Sequence, residues 1–204
     1  MSYHIYTTDA IILKRTPIGE ANAYFHILTE DFGLIIASAQ AVRKSISKLR
    51  PALQEYSLVS ISCVKGKNGW KVTNVVEKNN LFFSVPVFAR HVMAQVVSVI
   101  LKMIPGEASH PEIFQTVRTG FEFLVSVANQ SAEARAKAER DIPNFECLIV
   151  LRILYHLGYV VWGDHTKEFL KNTQEWNDDI LNNISVQKKE VIALINKALE
   201  ASQL

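Results

Sequence analysis

The spacing of apolar side chains along this chain changes from two residues to between three and four near residue 80. Before that point the runs are short and punctuated by turn residues. Asp9–Arg15, Ala21–Thr29, Leu34–Ala39, Tyr56–Val64 and Trp70–Val76 are rich in β-branched and aromatic residues. Tyr56–Val64 alternates polar and apolar positions, the period of a half-buried strand. Pro17 and Gly19 end the first run, and Glu30 to Gly33 closes the second. Lys65-Gly66-Lys67-Asn68-Gly69 reads as a hairpin turn in which Asn68-Gly69 supplies the positive φ angles of a primed turn. Five short antiparallel strands, with an irregular connection after the third, predict a small closed barrel, because closure removes exposed edges.

Beyond Lys78 the pattern is helical. Pro86 suits a first helical turn and is followed by a stripe of Val87, Val92, Val96, Val97, Ile100 and Leu101. Pro105-Gly106 breaks that helix. A second is predicted over Pro111–Ala128, with Ile113, Val117, Phe121, Leu124 and Val127 on its apolar side. Ser131–Arg140 reads as a solvated helix or a surface connection. Asn144 is then expected to cap a strongly apolar helix that Gly158 stops. Residues 164–183 are polar and ambiguous, and Ser185 is expected to cap a last helix, Val186–Ala201. The fold class is α+β, with a β-barrel domain over 1–80 and an all-α domain over 81–204.

Length allows one large domain or two small ones. The chain has 204 residues, 49% of them hydrophobic, enough for a packed core. The net charge of +2 is uninformative, but its distribution is not. Residues 1–80 carry ten Lys/Arg against six Asp/Glu, and residues 81–204 carry twelve against fourteen. A polyanion is therefore expected to meet the front of the chain. No signal-peptide core and no apolar run of membrane-spanning length is present, which predicts a cytoplasmic protein away from membranes. Cys63 and Cys147 lie in apolar runs and read as free thiols.

The most informative chemistry lies between the third and fourth strands. Residues 32–54 contain no acidic side chain, and Arg43, Lys44, Lys48 and Arg50 fall within eight positions. Cations focused on one loop neutralise phosphates and release condensed counterions. Lys14 and Arg15 end the first strand; Lys65, Lys67 and Lys71 flank Trp70. Trp70 is a candidate stacking ring, although a lone strand tryptophan is more often a core residue. Catalytic patterns are missing. His4, His26, His91, His110, His156 and His165 form no i,i+4 pair, and no nucleophile-elbow, zincin, P-loop or dinucleotide motif occurs. Asp178-Asp179 reads as a solvated pair. An enzyme is not expected, nor a metal or other cofactor. Phe145–Tyr159 is apolar almost all round and reads as a central helix, whose Arg152 and Tyr159 are candidates to line a groove for a partner's apolar tail.

In this order, these pieces resemble the RecO recombination-repair family. The resembling residues are Asp9–Arg15, Gly19-Glu20-Ala21 and Leu28–Gly33, then Ala41–Ser45 and Leu49–Ser57, then Phe145–Leu148 with Leu157-Gly158-Tyr159. The resemblance implies an N-terminal OB-fold, a helical domain, and DNA binding without catalysis in DNA damage repair and recombination. It implies binding to single- and double-stranded DNA and annealing of complementary strands. It implies RecR as a partner and help, through it, in loading RecA onto strands coated by single-stranded DNA-binding protein (SSB). The acidic, apolar C-terminal tail of SSB would dock on the helical domain, in a bacterial, nucleoid-associated setting.

The chain departs from the family in two places. It has no cysteine after Cys147, where many members carry a four-cysteine zinc lobe, and no glycine within Ser38–Ala41. The missing zinc lobe motivates an alternative, an adaptor that binds the SSB tail with weak DNA affinity; an OB-fold that binds structured RNA fits the charge equally well.

Overall fold

The computed structural model describes residues 4–128, 130–163 and 166–202. Five strands come first: β1 Ile5–Ile18, β2 Asn22–Thr29, β3 Gly33–Ala39, β4 Ser57–Gly66 and β5 Gly69–Asn80. They close into a barrel in the order β1-β2-β3-β5-β4, the topology of an OB-fold. β1 makes closure possible, because its early residues pair with β4 and its later ones with β2. Ala37 and Ser38 of β3 close the cylinder by pairing in parallel with Trp70 and Lys71 of β5.

The core follows from the two-residue period. Ala23, Phe25 and Ile27 of β2, Ile35, Ala37 and Ala39 of β3, Val59, Ile61 and Cys63 of β4, and Trp70 and Val72 of β5 all point inward and are buried. Burial pushes the Cys63 thiol up to about 12. The β4–β5 hairpin differs from expectation. Gly66 pairs with Gly69, and among the turn residues only Gly69 has a positive φ, 90°. The loop is therefore not a primed turn on Asn68-Gly69; glycine alone takes the left-handed position.

The chain divides into two compact units, and the first is not a simple N-terminal segment. It comprises residues 1–84 together with 105–114. The later stretch returns to the barrel: the Leu34 amide donates to the Gly106 carbonyl (3.1 Å), and Lys65 pairs with Glu107. Gly33 (φ 70°) permits the approach, because a Cβ there would lie 1.9 Å from the Ala108 carbonyl oxygen. Pro105-Gly106 thus does more than break a helix.

After α1 (Leu81–Ser84) and a 3-10 turn at Val87–Ala89, the helices are α2 Arg90–Met103, α3 Pro111–Ala128, α4 Ala132–His156, α5 Lys167–Leu170 and α6 Asp178–Ala201. The second unit takes residues 85–104 and 115–204. Two boundaries correct the sequence reading. α4 is one helix with Pro143 inside it, so Asn144 is no cap. Asn144 is buried, and its side-chain oxygen accepts from Lys188 of α6 (3.1 Å). The Ala-, Glu- and Arg-rich first half favours helix strongly enough, with the packing of the second half, to offset a proline that costs about 3 kcal/mol. α6 starts well before Ser185. Asn177 is its cap, accepting from the Ile180 amide (2.9 Å), and Asp178 and Asp179 face the positive end of the helix dipole.

Arg152 organises this unit from inside. Its side chain is fully buried. It donates to the carbonyls of Phe169 (2.9 Å), Thr173 (3.3 Å) and Glu175 (2.8 Å), and its guanidinium lies 4.4 Å from the Trp176 ring centre. One cation on α4 thereby fixes the irregular segment that leads into α6. Burial lowers its pKa to about 10, only partly offset by Glu175. Among the described residues no helix is long and apolar enough to cross a membrane.

Replacing Arg152 with Ala would strip three carbonyls of their donor and leave a cavity. The expected outcome is a loss of about 3 kcal/mol or more in chemical denaturation. A loss below 1 kcal/mol would show that those carbonyls find other partners.

Candidate nucleic-acid interface

Directly paired residues project from the same side of a sheet, so the strand registers define the outer face. Thr16 pairs with Tyr24, Tyr24 with Ser38, and Ser38 with Lys71. Lys14 pairs with His26, and His26 with Ile36. Two adjacent rows therefore cross β1, β2 and β3: Thr16-Tyr24-Ser38-Lys71 and Lys14-His26-Ile36. Tyr24 is 44% exposed and Ile36 52%. The face offers an aromatic ring, an aliphatic side chain and a lysine at each side. Burial, then the Lys14 charge, holds His26 below the ordinary histidine pKa, so it is neutral at pH 7.

The basic connection after β3 is an ordered series of turns, not a free loop. Val42 and Leu53 are buried in the barrel core and Leu49 packs against it. Those three anchors turn Arg43, Lys44, Lys48 and Arg50 outward, and all four are exposed. The start of the connection is fastened to the β1–β2 turn. The Arg43 amide donates to the Ala21 carbonyl (2.9 Å), the Arg43 guanidinium to the Gly19 carbonyl, and the Ala41 amide to the Asn22 side chain (2.9 Å). Ala41 takes a positive φ of 54°, the conformation a glycine would adopt without strain. Arg43 and Lys44 consequently rim the turn beside the β2–β3 face.

The remaining sequence candidates separate. Lys67 stands exposed on the β4–β5 hairpin. Lys65 is engaged: it pairs with Glu107 and lies 5.3 Å over the Trp70 ring. Trp70 is not a stacking surface. It is only 5% exposed and contacts Tyr6 and Phe32 edge-on or tilted, with ring centres 5.4 Å apart. Its phase explains why, since Trp70 and Val72 share the inward row. Arg15 leaves the outer rows as well. It pairs with fully buried Phe25, so it points to the opposite side of β1 from Lys14 and Thr16.

The aromatic residue that sequence reasoning missed is Tyr24. Its signal is present in Ala23-Tyr24-Phe25-His26-Ile27, where Tyr24 falls out of phase with the apolar row.

In the helical unit Arg152 is interior and cannot line a groove. Tyr159 is 40% exposed, next to exposed Val161 and Trp162. A separate, mainly apolar groove of about 380 Å³ is lined by Val99, Pro143, Val150, Ile192, Ile195 and Leu199, with Lys188 and Glu146 also on its lining. His156 is a packed residue, its Nε2 2.9 Å from the Thr173 hydroxyl; His165 lies outside the described residues. Among the described residues no group of three His, Cys, Asp or Glu side chains is arranged to hold a metal.

Comparison with known proteins adds to this geometry. Residues 1–79 match the family model described as recombination protein O N terminal. A DNA repair protein RecO of Dehalococcoides mccartyi is 32% identical over 128 residues, covering 59% of this chain and 48% of that protein. One from Thermodesulfovibrio yellowstonii is 27% identical over 167 residues, covering 81% and 54%. Another, from Heliobacterium modesticaldum, is 26% identical over 155 residues, covering 76% and 52%. The chain spans about half the length of the curated relatives it matches.

Proposed function

We propose that this chain, whose first 79 residues match the recombination protein O N-terminal model, is a RecO-type, non-catalytic, DNA-binding recombination mediator in DNA repair. It binds single- and double-stranded DNA, anneals complementary strands and, with RecR, helps load RecA on SSB-coated strands at the nucleoid. The observation that supports DNA binding best is the outer face of the barrel. Tyr24 stands between Lys14 and Lys71, beside the Arg43 and Lys44 rim. An OB-fold takes oligonucleotides on strands two and three and the flanking loops. Phosphates would meet the cations, and bases would stack on Tyr24. For the acidic, apolar tail of SSB the groove offers Ile192, Ile195 and Leu199 with Lys188, set against the like-charged Glu146, whereas Arg152 is interior.

The adaptor reading keeps one observation in its favour. Several cations of the barrel are already engaged: Arg43 on Gly19, Lys65 on Glu107 and Lys78 on Asp9. Binding of an SSB tail peptide without any binding of bare DNA would favour it.

Fluorescence anisotropy of a labelled single strand across salt concentrations tests the DNA reading. Replacing Lys44, Lys48 and Arg50 with Ala should lower the salt slope by about two, at about 0.7 per phosphate contact on single strands. An unchanged slope would remove those residues from the interface. Tyr24→Ala should weaken binding about five-fold or more with the slope intact. For the tail, Ile192→Glu places a charge in the half-exposed wall of the apolar groove and should abolish binding of an SSB tail peptide. Undiminished peptide binding would move the tail elsewhere.

A further inference from the structure

A second groove opens on the other side of β1. It has a volume of about 570 Å³ and is lined by Arg15, Pro17, Gln54, Glu55, Tyr56, Phe82 and Phe83. Tyr56 and Phe82 are stacked, with ring centres 5.5 Å apart and planes 21° from parallel. Phe83 stands edge-on to Phe82 at 5.6 Å and is 73% exposed, a large apolar ring left in water. With Tyr56 and Phe82 it forms one contiguous aromatic patch, and contiguous apolar exposure marks an interaction site where a single exposed ring would not.

Two further features show that the groove is built. Tyr56 has a positive φ of 66°, costly for a residue with a Cβ, and its amide is held by the Ile12 carbonyl at 2.7 Å. The strain fixes the direction in which the tyrosine ring leaves the chain. The Arg15 Nε is buried without a hydrogen-bond partner, while its backbone amide donates to Glu55 (2.8 Å). That contact also holds the Glu55 carboxylate against the main chain. The buried Nε is closed to the groove, so an anionic oxygen arriving there would meet the Nη nitrogens of the same guanidinium.

We propose that this groove is a second single-strand subsite, which takes one unpaired nucleotide with its base on the Phe83, Phe82 and Tyr56 rings and its phosphate on Arg15. The inference rests on the DNA-binding reading above and extends it to a site off the β2–β3 face. The alternation along β1 makes the two sites separate: Lys14 and Thr16 serve the outer face, Arg15 and Pro17 the groove. A strand leaving the outer face near the β1–β2 turn could place its next nucleotide here. A cation beside an aromatic stack matches a nucleotide better than an apolar peptide, which would leave Arg15 unpaired.

The test uses the full chain and two labelled oligonucleotides of equal length, one of deoxythymidine and one abasic throughout. They carry the same phosphates and differ only in their bases. Phe83→Ala and Phe83→Leu should each weaken binding of the thymidine strand about five-fold or more, leave the abasic strand unaffected and keep the salt slope; Phe83→Trp should bind like the unaltered protein. Phe83 is exposed, so none of these changes threatens the fold. Equal binding of both strands by all four proteins overturns the subsite while leaving the DNA reading intact. A Phe83→Leu protein that binds as tightly as the unaltered one also overturns it, because apolar area rather than a π-face would then be what the groove offers, as a peptide partner requires. No binding of either strand by the unaltered protein brings down the DNA reading and this inference together.

Discussion

β1 has to satisfy two partners. Its fourteen residues bond to β4 through Ile5–Ile11 and to β2 through Ala10–Ile18. The pairing shifts register between Ile12 and Lys14, an irregularity of the kind that lets a strand bend round a small barrel. Because the cylinder closes, strand backbone is largely consumed by its own ladder, and recognition has to come from side chains. The same strand then sets which side chains go where. Past the irregularity, Lys14 and Thr16 project to one side and Arg15 and Pro17 to the other. Two neighbouring cations thus belong to two different surfaces.

The connection between β3 and β4 depends on that closed barrel. It enters through Ala41 at φ 54° and leaves through Tyr56 at φ 66°. Neither residue adopts the left-handed region cheaply. Between them, Val42 and Leu53 bury in the core, and this burial offsets both the strain and the entropy of ordering the segment. The consequence is electrostatic. Cations on a flexible loop lose freedom when they bind phosphate, whereas Arg43 is already fastened to the β1–β2 turn through Gly19 and Ala21. Strain and charge in this segment are parts of one device that presents a basic rim in a fixed place.

The helical unit is arranged around a buried cation. Arg152 substitutes for regular structure over the segment before α6: three carbonyls that lack helical partners receive its protons, and Trp176 covers it. Trp176 in turn donates to the Thr119 hydroxyl at 2.9 Å and packs on Phe145. Asn144 and Lys188 join α4 to α6 in the same polar manner. Buried polar groups of this kind define one arrangement among many that an apolar core alone would tolerate.

The strands, their inward rows and the helices with long apolar stripes are legible in the amino-acid order, because those depend on local periods of two and of three to four residues. The stripe of α3 and the outward phase of Tyr24 are legible in that way, and so is the buried phase of Trp70. The clustering of Arg43, Lys44, Lys48 and Arg50 is equally a property of the sequence. Tertiary structure decided what depends on distant partners. Arg152 reads as a groove-lining cation until Phe169, Thr173 and Glu175 present their carbonyls to it. Asn144 reads as a cap until Lys188 reaches it and α4 is seen to run straight through Pro143. The return of residues 105–114 to Leu34 and Lys65 has no local signal, since it rests on Gly33 lacking a Cβ far away along the chain. Local spacing sets which face a side chain takes; what that face meets is settled only by the closed barrel and the packed helices.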